Sequence, residues 1–229
     1  MPLVGEKPPF AGSRPVPGRR TADTSGMKNQ PGFSLIELLV TMAVVAIALT
    51  MVVPGVQQFM QNNRLTSQLN MLSSSLMLAR SEAVKRNLRA AICPTTDGAS
   101  CVTTTGAGWE TGWLVFLDRN NDFALTGTSA ACAEGATTGE CLLMAQEALT
   151  GGTTLRTASG IVGALAFDGS GTALCRDSTG SAQTCVAANT FLTLCDSRGA
   201  SRARGLGISN TGRSSIIDKS PNGTSLSCP

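Results

Sequence analysis

The sequence contains no histidine and no tyrosine, and aromatic residues make up only 4% of its 229 residues. Without histidine, the chain lacks the commonest general base, the usual catalytic triads and the ligand of most transition-metal sites. The scarcity of aromatic side chains argues against a stacking platform for single-stranded nucleic acid. No nucleophile motif stands among the many serines and carboxylates, so we expect neither an enzyme nor a cofactor.

The chain also has little net charge. Lysine and arginine number 18 and aspartate and glutamate 15, which gives +3 at pH 7. The segment before Phe33 contains five of the basic and two of the acidic residues, so the rest of the chain has 13 of each and is formally neutral. A globally basic nucleic-acid-binding protein is therefore not indicated, and any such role requires a local basic patch.

Cysteine, by contrast, is abundant, and all eight cysteines follow residue 92. None is in a CxxC motif, and without histidine a zinc site would need four thiolates, so disulfides in an oxidising compartment are the better interpretation. Eight cysteines allow on the order of a hundred pairings. The short spacings favour nearest-neighbour bridges, each stabilising by roughly 2.5–4 kcal/mol on the loop-entropy model: Cys93–Cys101, Cys132–Cys141, Cys175–Cys185 and a longer Cys195–Cys228.

The N-terminal region divides into a polar leader and a long apolar run. Residues 1–26 are rich in Pro, Gly and Arg without periodicity and predict disorder. A second methionine, Met27, opens a shorter leader, and we expect translation to begin there. Residues 33–53 contain one charge, Glu37, and as a helix would span about 30 Å, enough to cross a bilayer. The alternatives are a cleaved secretory signal and an ordinary membrane anchor.

The sequence after this run continues as a helix with one apolar face. Its stripe steps by 4, 3, 4, 3 and 4 residues through Leu65, Leu69, Leu72, Leu76, Ala79 and Ala83. One helix is thus predicted from Phe33 to about Arg89, with a kink at Pro54. The stripe is expected to pack on the chain's own globular domain. The four basic residues near the end of this helix (Arg80, Lys85, Arg86 and Arg89) suit the helix macrodipole, although a second basic contact is an alternative.

After Cys93 the sequence changes to short apolar runs separated by Gly, Thr, Ser and Asp. Five of these runs read as strands bounded by turns: Gly112–Asp118, Gly163–Gly171, Asn189–Asp196, Gly205–Asn210 and Ser214–Asp218. The predicted fold class is therefore α+β, a long N-terminal helix packed against an antiparallel β domain. The expected divisions are a leader at 1–32, a membrane segment at 33–53, an amphipathic helix at 54–90 and a β domain at 91–229.

The stretch GFSLIELLV, which begins at Gly32, resembles the processing signal of type IV pilins and pseudopilins. In that family a prepilin peptidase cuts after the glycine, which implies cleavage after Gly32 and methylation of the new N-terminus at Phe33. Three further stretches are similar to the GspH/FimT subfamily of minor pilins: Asn62–Asn87, Gly108–Asp122 and Leu194–Arg213. The resemblance covers residues 27–229. It implies the pilin fold, other pilins or pseudopilins as partners, and an assembly platform in the inner membrane.

Glu37 is the only charge between Phe33 and Pro54. A carboxylate at membrane depth costs roughly 2.5–3.5 kcal/mol on insertion scales, and in a low-dielectric helix bundle it needs a counter-charge. In filaments of the resembled family, the matching glutamate faces the N-terminal amine of a neighbouring subunit. Cleavage before Phe33 would create such an amine four residues away. The alternative is a carboxylate that extends to the membrane interface.

An arginine cluster near the C-terminus is the candidate binding site. Arg198, Arg202, Arg204 and Arg213 have no acid between them, and residues 195–229 have a local charge of +3, from five basic and two acidic residues. Several arginines on one surface can bind phosphate without reading sequence. Some FimT-like members bind DNA through a GRxR motif, and the resemblance implies that role here. Gly212 and Arg213 match it, but Ser215 replaces the second arginine. The alternative is a solvated surface cluster.

The same region raises a question of geometry. Arg202 and Arg204 share parity with Leu206 and Ile208, so on one regular strand all four would share a face. The arginines must lie beyond the sheet, or a bulge at Gly205 or Gly207 must reorient them.

The stretch DRNND, Asp118–Asp122, has the D-x-N-x-D spacing that opens a calcium loop. A full loop needs glycine at position 6 and glutamate at position 12, where this chain has Phe123 and Ser129. A tight turn is the better interpretation, because Asn and Asp favour turns, and no metal site is expected.

Two functions follow from these observations. One is a minor pilin that binds double-stranded DNA through the four arginines; the other is a structural pseudopilin of a type II secretion machine, without a ligand. Both predict a single-pass protein of the bacterial inner membrane with its β domain in the periplasm.

Overall fold

The structure, a computed structural model, describes residues 32–104, 106–126, 132, 139–157, 163–177, 179–185, 191–209 and 211–228. The predicted leader, apart from Gly32, lies outside these ranges. Contacts within the chain divide it into two units, Met1–Thr50 and Met51–Pro229. The described residues form one α-helix and ten β-strands, and all of the strands are in the second unit. The predicted α+β class, with an antiparallel β domain, is confirmed.

Helix α1 extends from Leu35 to Arg86 and contains Pro54 in its interior. The described part of the first unit is the beginning of this helix, and it is exposed and apolar, with Glu37 as its one charged residue. The helix has a window of 18 residues with a mean hydropathy of 2.5, so by length and composition it is able to cross a membrane. The kink expected at Pro54 stays a prediction.

Hydroxyl groups in the apolar part of α1 are satisfied within the helix. Thr41 Oγ1 donates to the carbonyl oxygen of Leu38 at 2.9 Å, and Thr50 Oγ1 donates to that of Ile47 at 2.7 Å. Such bonds to the preceding turn allow polar side chains in an apolar helix at low cost. Glu37 has no equivalent arrangement, since none of the described residues pairs with its carboxylate.

The predicted apolar stripe of α1 is buried in the second unit. All six of its residues are at most 1% exposed, and they belong to one core cluster with residues of both sheets. Gln68 and Ser75 are also buried along this face. Ser75 Oγ accepts a 2.9 Å hydrogen bond from Nε1 of the buried Trp113. The stripe therefore packs on the chain's own β domain, as its spacing predicts.

The helix ends three residues earlier than predicted. Asn87 adopts a left-handed conformation with φ of 51°, and the Leu88 amide donates to the carbonyl oxygen of Ala83 at 3.1 Å. This six-to-one hydrogen bond is the Schellman type of helix termination. It turns the chain so that Arg89 lies beyond the helix, and the first strand begins at Ala90.

Two antiparallel sheets form the β domain. In chain order the strands are β1 (Ala90–Pro94), β2 (Trp113–Leu117), β3 (Cys141–Gln146), β4 (Thr154–Thr157), β5 (Leu165–Phe167), β6 (Ala173–Arg176), β7 (Ala182–Thr184), β8 (Phe191–Cys195), β9 (Arg204–Ile208) and β10 (Ser214–Ile217). The six-stranded sheet has the order β3-β2-β1-β5-β6-β7, and the four-stranded sheet has the order β10-β9-β8-β4.

The central strands of the larger sheet are buried on both faces. Every residue of β1 and β2 is buried. Ile92 and Val115 face the cluster that contains the α1 stripe, whereas Cys93 and Phe116 belong to a second cluster. Because side chains alternate along a strand, two covered faces produce a continuous apolar run such as WLVFL.

Each of the five runs predicted as strands coincides with an observed strand, namely β2, β5, β8, β9 and β10, although β9 begins one residue before its predicted run, at Arg204. The other five strands are absent from the prediction.

Four disulfides cross-link the described residues: Cys93–Cys101, Cys132–Cys141, Cys175–Cys185 and Cys195–Cys228. These are the pairs that the spacing favours. The first three join residues 8 to 10 positions apart, and the fourth joins residues 33 apart, so it connects the end of β8 to the segment after β10. No free cysteine remains in the chain.

Candidate functional site

The N-terminal candidates lie at the exposed beginning of the helix. Phe33 is 81% exposed, and Glu37 lies in the first turn of α1, where a negative charge is favoured by the helix dipole. No described atom lies within 4 Å of a Cβ built on Gly32, and its φ is not in the left-handed region. Neither packing nor backbone conformation in the described part of the chain therefore requires glycine at this position.

The structure divides the four C-terminal arginines by their partners, and Arg198 is the most constrained. Its Nη2 lies 2.6 Å from Asp196 Oδ2, and its Nη1 donates to Asn62 Oδ1 of α1 at 2.8 Å. The Arg198 side chain is only 17% exposed. Burial acts to raise the pKa of Asp196, but hydrogen bonds and charge from Arg198 outweigh it and leave the pKa below its ordinary value. Arg198 is therefore largely neutralised.

Arg204 is paired as well. It opens β9, and its Nη1 forms an ion pair with Asp218 Oδ1. Residues 205–208 pair with residues 217–214 without interruption, so Arg204 and Asp218 are the next opposed positions. A carboxylate in that position is a favourable cross-strand partner.

The register also answers the question of parity. β9 pairs regularly with β8 and with β10, so the bulge proposed at Gly205 or Gly207 is absent from this strand, and that alternative is wrong. Arg202 instead ends a short 3₁₀ turn, Ala200–Arg202, that precedes β9. The other alternative is correct for Arg202, which lies beyond the strand.

Arg202 and Arg213 are exposed, but they line different depressions. Arg202 shares a pocket of about 440 Å³ with Asn62, Arg204, Asp218 and Lys219. Arg213 follows Gly212 in the turn between β9 and β10 and lines a groove beside α1, together with Arg80 and Lys85. The four arginines predicted as one site are thus two paired residues and two exposed residues in separate depressions.

Sequence reasoning missed Asp196 and Asp218 as partners, and Arg80 and Lys85 as neighbours of Arg213. The positions of Asp196 and Asp218 could have been found from the sequence. Asp196 is two residues before Arg198, and a five-residue hairpin turn over residues 209–213 would place Asp218 opposite Arg204. The closeness of Arg80 and Lys85 to Arg213 could not, because the approach of the hairpin turn to α1 is set by tertiary packing.

The Asp118–Asp122 stretch forms the predicted turn. The amides of Asp122 and Phe123 donate to the two carboxylate oxygens of Asp118, both at 3.2 Å. Carboxylate oxygens of Asp118, Asp122 and Glu140 lie within 4.8 Å of one another, a grouping that the sequence spacing does not reveal. Phe123, fully buried, occupies the position where a calcium loop needs glycine. Ser129, at the glutamate position, lies outside the described residues.

Arg89 supplies the counter-charge at this turn. Its Nε is 3.2 Å from Asp118 Oδ2, its guanidinium lies 3.7 Å from the ring centroid of Phe123, and both charged side chains are at most 8% exposed. Burial raises the pKa of Asp118 and lowers that of Arg89, and each charge partly offsets the effect on the other. This arrangement accounts for the acidic turn as an internal ion pair.

A long helix with an apolar beginning, followed by a disulfide-linked antiparallel β domain, is the architecture of a pilin-like protein. Residues 68–212 match the family model described as "Type II transport protein GspH", and residues 27–53 match "Prokaryotic N-terminal methylation motif". The chain therefore belongs to the GspH family of pilin-like proteins, whose members are structural subunits of the type IV pilus and type II secretion systems.

Two solved structures are similar to the chain, both of the type IV minor pilin FimU from Pseudomonas aeruginosa strain PAO1. The structure in space group P21 is 21% identical with a TM-score of 0.44 and covers 72% of this chain and 98% of its own. The structure in space group P65 is 22% identical with a TM-score of 0.41 and covers 69% and 98%, respectively. No curated protein sequence matches the chain.

Proposed function

We propose that this chain is a minor pilin that is cleaved after Gly32, is held in the bacterial inner membrane by residues 33–53, and joins a filament through its N-terminal helix. The observation that carries the proposal is a single carboxylate, Glu37, in the first turn of an exposed apolar helix that begins just after the motif glycine. The match of residues 27–53 to a methylation motif supports it. The β domain then lies in the periplasm, where its disulfides can form.

In this proposal cleavage and assembly are linked by charge. Cleavage before Phe33 creates a cationic amine four residues from Glu37, and in a filament that amine can meet the Glu37 of another subunit. The hydroxyl groups of Thr41 and Thr50 are already bonded within the helix, and a charged carboxylate gains more from a partner than a neutral hydroxyl does, so Glu37 is the residue for which pairing matters most. An isolated carboxylate in a low-dielectric bundle is costly, and pairing reduces that cost.

We expect Glu37→Val to be processed but excluded from filaments. Mass spectrometry of the mature chain should show Phe33 as the first residue in the wild type and in the variant. The amount in sheared filaments should fall by more than tenfold for Glu37→Val, because each 1.4 kcal/mol of lost interaction is a factor of about ten.

The matched control is Thr41→Val, one helical turn away, which removes a hydroxyl already bonded to Leu38 and should enter filaments normally. Normal entry of Glu37→Val would contradict the pairing, and a first residue other than Phe33 would contradict the whole proposal.

A second candidate function is the binding of double-stranded DNA. Arg202 and Arg213 favour it, because each is exposed and neither forms an ion pair with a described carboxylate. Arg198 and Arg204, paired with Asp196 and Asp218, favour the alternative of a structural pseudopilin of a type II secretion system. The GRxR motif is also incomplete, because Ser215 stands in place of its second arginine.

Salt-dependent binding of duplex DNA to the full chain distinguishes these alternatives. If the arginines contact phosphates, Arg202→Ala and Arg213→Ala should each weaken binding and reduce the slope of log affinity against log salt by about one. Arg176→Ala is the control, because Arg176 is in β6, outside the cluster, and donates to the Thr103 carbonyl oxygen. No binding at low salt would leave the pseudopilin without a ligand.

A further inference from the structure

A groove of about 630 Å³ lies between the second half of α1 and the turn from β9 to β10. Five of its lining residues come from the helix (Met77, Arg80, Ser81, Val84 and Lys85), and three come from the turn and the start of β10 (Gly212, Arg213 and Ser214). The groove lies wholly within the second unit. Its described lining residues include none from the membrane segment or from Arg202's pocket.

Two β-turns pack closely against the helix here, and one of them, the turn before β10, lines the groove. A Cβ on Gly212, which has φ of +73°, would lie 2.5 Å from the carbonyl oxygen of Gly171 and 2.9 Å from Arg80 Nε. Arg80 Nε donates to the Gly171 carbonyl oxygen at 3.1 Å. Glycine is needed at residue 212 both for its conformation and for this close approach. Arg80 and Arg213 are consequently held on opposite sides of one depression.

The helix side of the groove has the shape of a socket. Met77, Arg80, Ser81 and Val84 occupy positions i, i+3, i+4 and i+7, the four positions that surround an inserted side chain in knobs-into-holes packing. Met77 is 60% exposed and Val84 is 50% exposed, whereas serine between them is small. The socket is therefore a shallow depression above Ser81 with apolar sides, into which an apolar side chain of a second helix can insert.

The rim of the socket is cationic. Arg80, Lys85 and Arg213 line the groove, and none of its described lining residues has a carboxylate. Lys85 has only a distant contact, 3.8 Å from Glu82 Oε1, and Glu82 is already bound by Arg86 at 2.6 Å. Among the described residues, Arg80 and Arg213 are not in any ion pair. The three positive charges are thus available to a partner.

A second copy of this helix does not fit that rim. The only acids in α1 are Glu37 and Glu82, and Glu82 is held by its own helix. A DNA backbone would use the cations but would leave Met77 and Val84 against water. The groove therefore matches a helix from a different polypeptide, with apolar side chains at i and i+3 or i+4 flanked by glutamate or aspartate.

We propose that this groove docks an acidic amphipathic helix of a different protein, with an apolar side chain over Ser81 and carboxylates on Lys85 and Arg213. The site stands apart from the Glu37 pairing, because its residues belong to the β-domain end of α1. The chain would then contact other pilins through the beginning of α1 and a different protein through this groove.

Site-specific photocrosslinking in cells tests this inference. A photoreactive amino acid at Ser81 of the full chain should crosslink to a chain other than this one, and mass spectrometry should place the crosslink in an acidic helical segment. The same probe at Ser67, exposed on the same helix and about 21 Å away, is the positional control. A crosslink to a second copy of this chain, to nucleic acid, or to no partner would overturn the proposal.

Charge reversal at the rim of the groove is the second test of this proposal. Lys85→Glu combined with Arg213→Glu should reduce the Ser81 crosslink at least tenfold, whereas Lys219→Glu, which reverses an exposed cation in the other pocket, should leave it unchanged. The milder double variant, Lys85→Gln with Arg213→Gln, should also reduce the crosslink. Thermal unfolding of both double variants checks that the reduction is not caused by misfolding. An unchanged crosslink in both pairs would contradict the charge contacts. Filament entry, measured separately, reports on Glu37 and not on this groove.

Discussion

Replacement of Arg89 by methionine is expected to lower the free energy of unfolding of the β domain by about 3–5 kcal/mol. The reason is Asp118, whose side chain is fully buried and whose nearest cation is Arg89, 3.2 Å away. Removal of the guanidinium leaves a buried carboxylate without its counter-charge, and it also removes the contact with the Phe123 ring and the hydrogen bond to the Asn121 carbonyl oxygen. Methionine retains much of the aliphatic volume, so the electrostatic loss dominates.

Chemical denaturation followed by tryptophan fluorescence measures this loss. Both tryptophans of the chain, Trp109 and Trp113, are fully buried in the second unit, so their emission reports its unfolding. Arg86→Met is the matched control, because Arg86 pairs with Glu82 four residues earlier in the same helix, and i,i+4 pairs in helices contribute about 0.3–0.5 kcal/mol. Equal, small losses for the two variants would show that Asp118 does not depend on Arg89.

A second large effect is expected from the longest disulfide. Replacement of Cys195 and Cys228 by alanine should lower the free energy of unfolding by about 4 kcal/mol, because the bridge closes a loop of 33 residues and the loop-entropy term grows with length. Cys195 is also buried in a small cluster with Ala203 and Leu226, so loss of the bridge releases the segment after β10 from the end of β8.

The comparison variant removes Cys93 and Cys101, which close a loop of 8 residues. Its expected cost is about 2.5 kcal/mol on the same model, so the two variants should differ by roughly 1–1.5 kcal/mol. Both are measured by the same fluorescence titration under non-reducing conditions. A larger loss for the short loop would mean that packing of the buried Cys93, and not loop entropy, decides the cost.

The helical half of the fold could be predicted because its signals are local. A step of three and four residues fixes which face of α1 is buried, and all six stripe residues follow it. The helix end could not be placed, because termination depends on Asn87 adopting a left-handed conformation, which most residues avoid and asparagine only tolerates.

The strands show where local signals fail. β2 and β8 are rich in bulky apolar residues and were predicted, whereas β1, with the sequence AAICP, has alanines and a proline that disfavour a strand. β1 is nevertheless the central strand between β2 and β5, because small side chains allow it to be covered on both faces. Its conformation is determined by its neighbours and not by its own propensity.

The prediction that the four arginines form one site fails for a comparable reason. Closeness in sequence suggests one basic patch, but ion pairing depends on register and on chain direction. Asp196 and Asp218 flank the cluster in sequence. Asp196 pairs with Arg198 two residues later, and the β9–β10 hairpin returns Asp218 to Arg204. The residues left without carboxylate partners in the described part of the chain, Arg202 and Arg213, then lie in different depressions. Charge counted along a sequence therefore overstates the charge presented at a surface.

In the proposed export of the β domain to the periplasm, the spacing of the bridges sets the order in which they can form. Three of them join cysteines no more than 10 residues apart, so both thiols of each pair emerge almost together from a translocation channel and can be oxidised at once. Cys195 must wait for Cys228, which emerges 33 residues later, after the β9–β10 hairpin. During that interval Cys195 is an unpaired thiol, and it is the cysteine most open to capture by a wrong partner or by a thiol oxidoreductase.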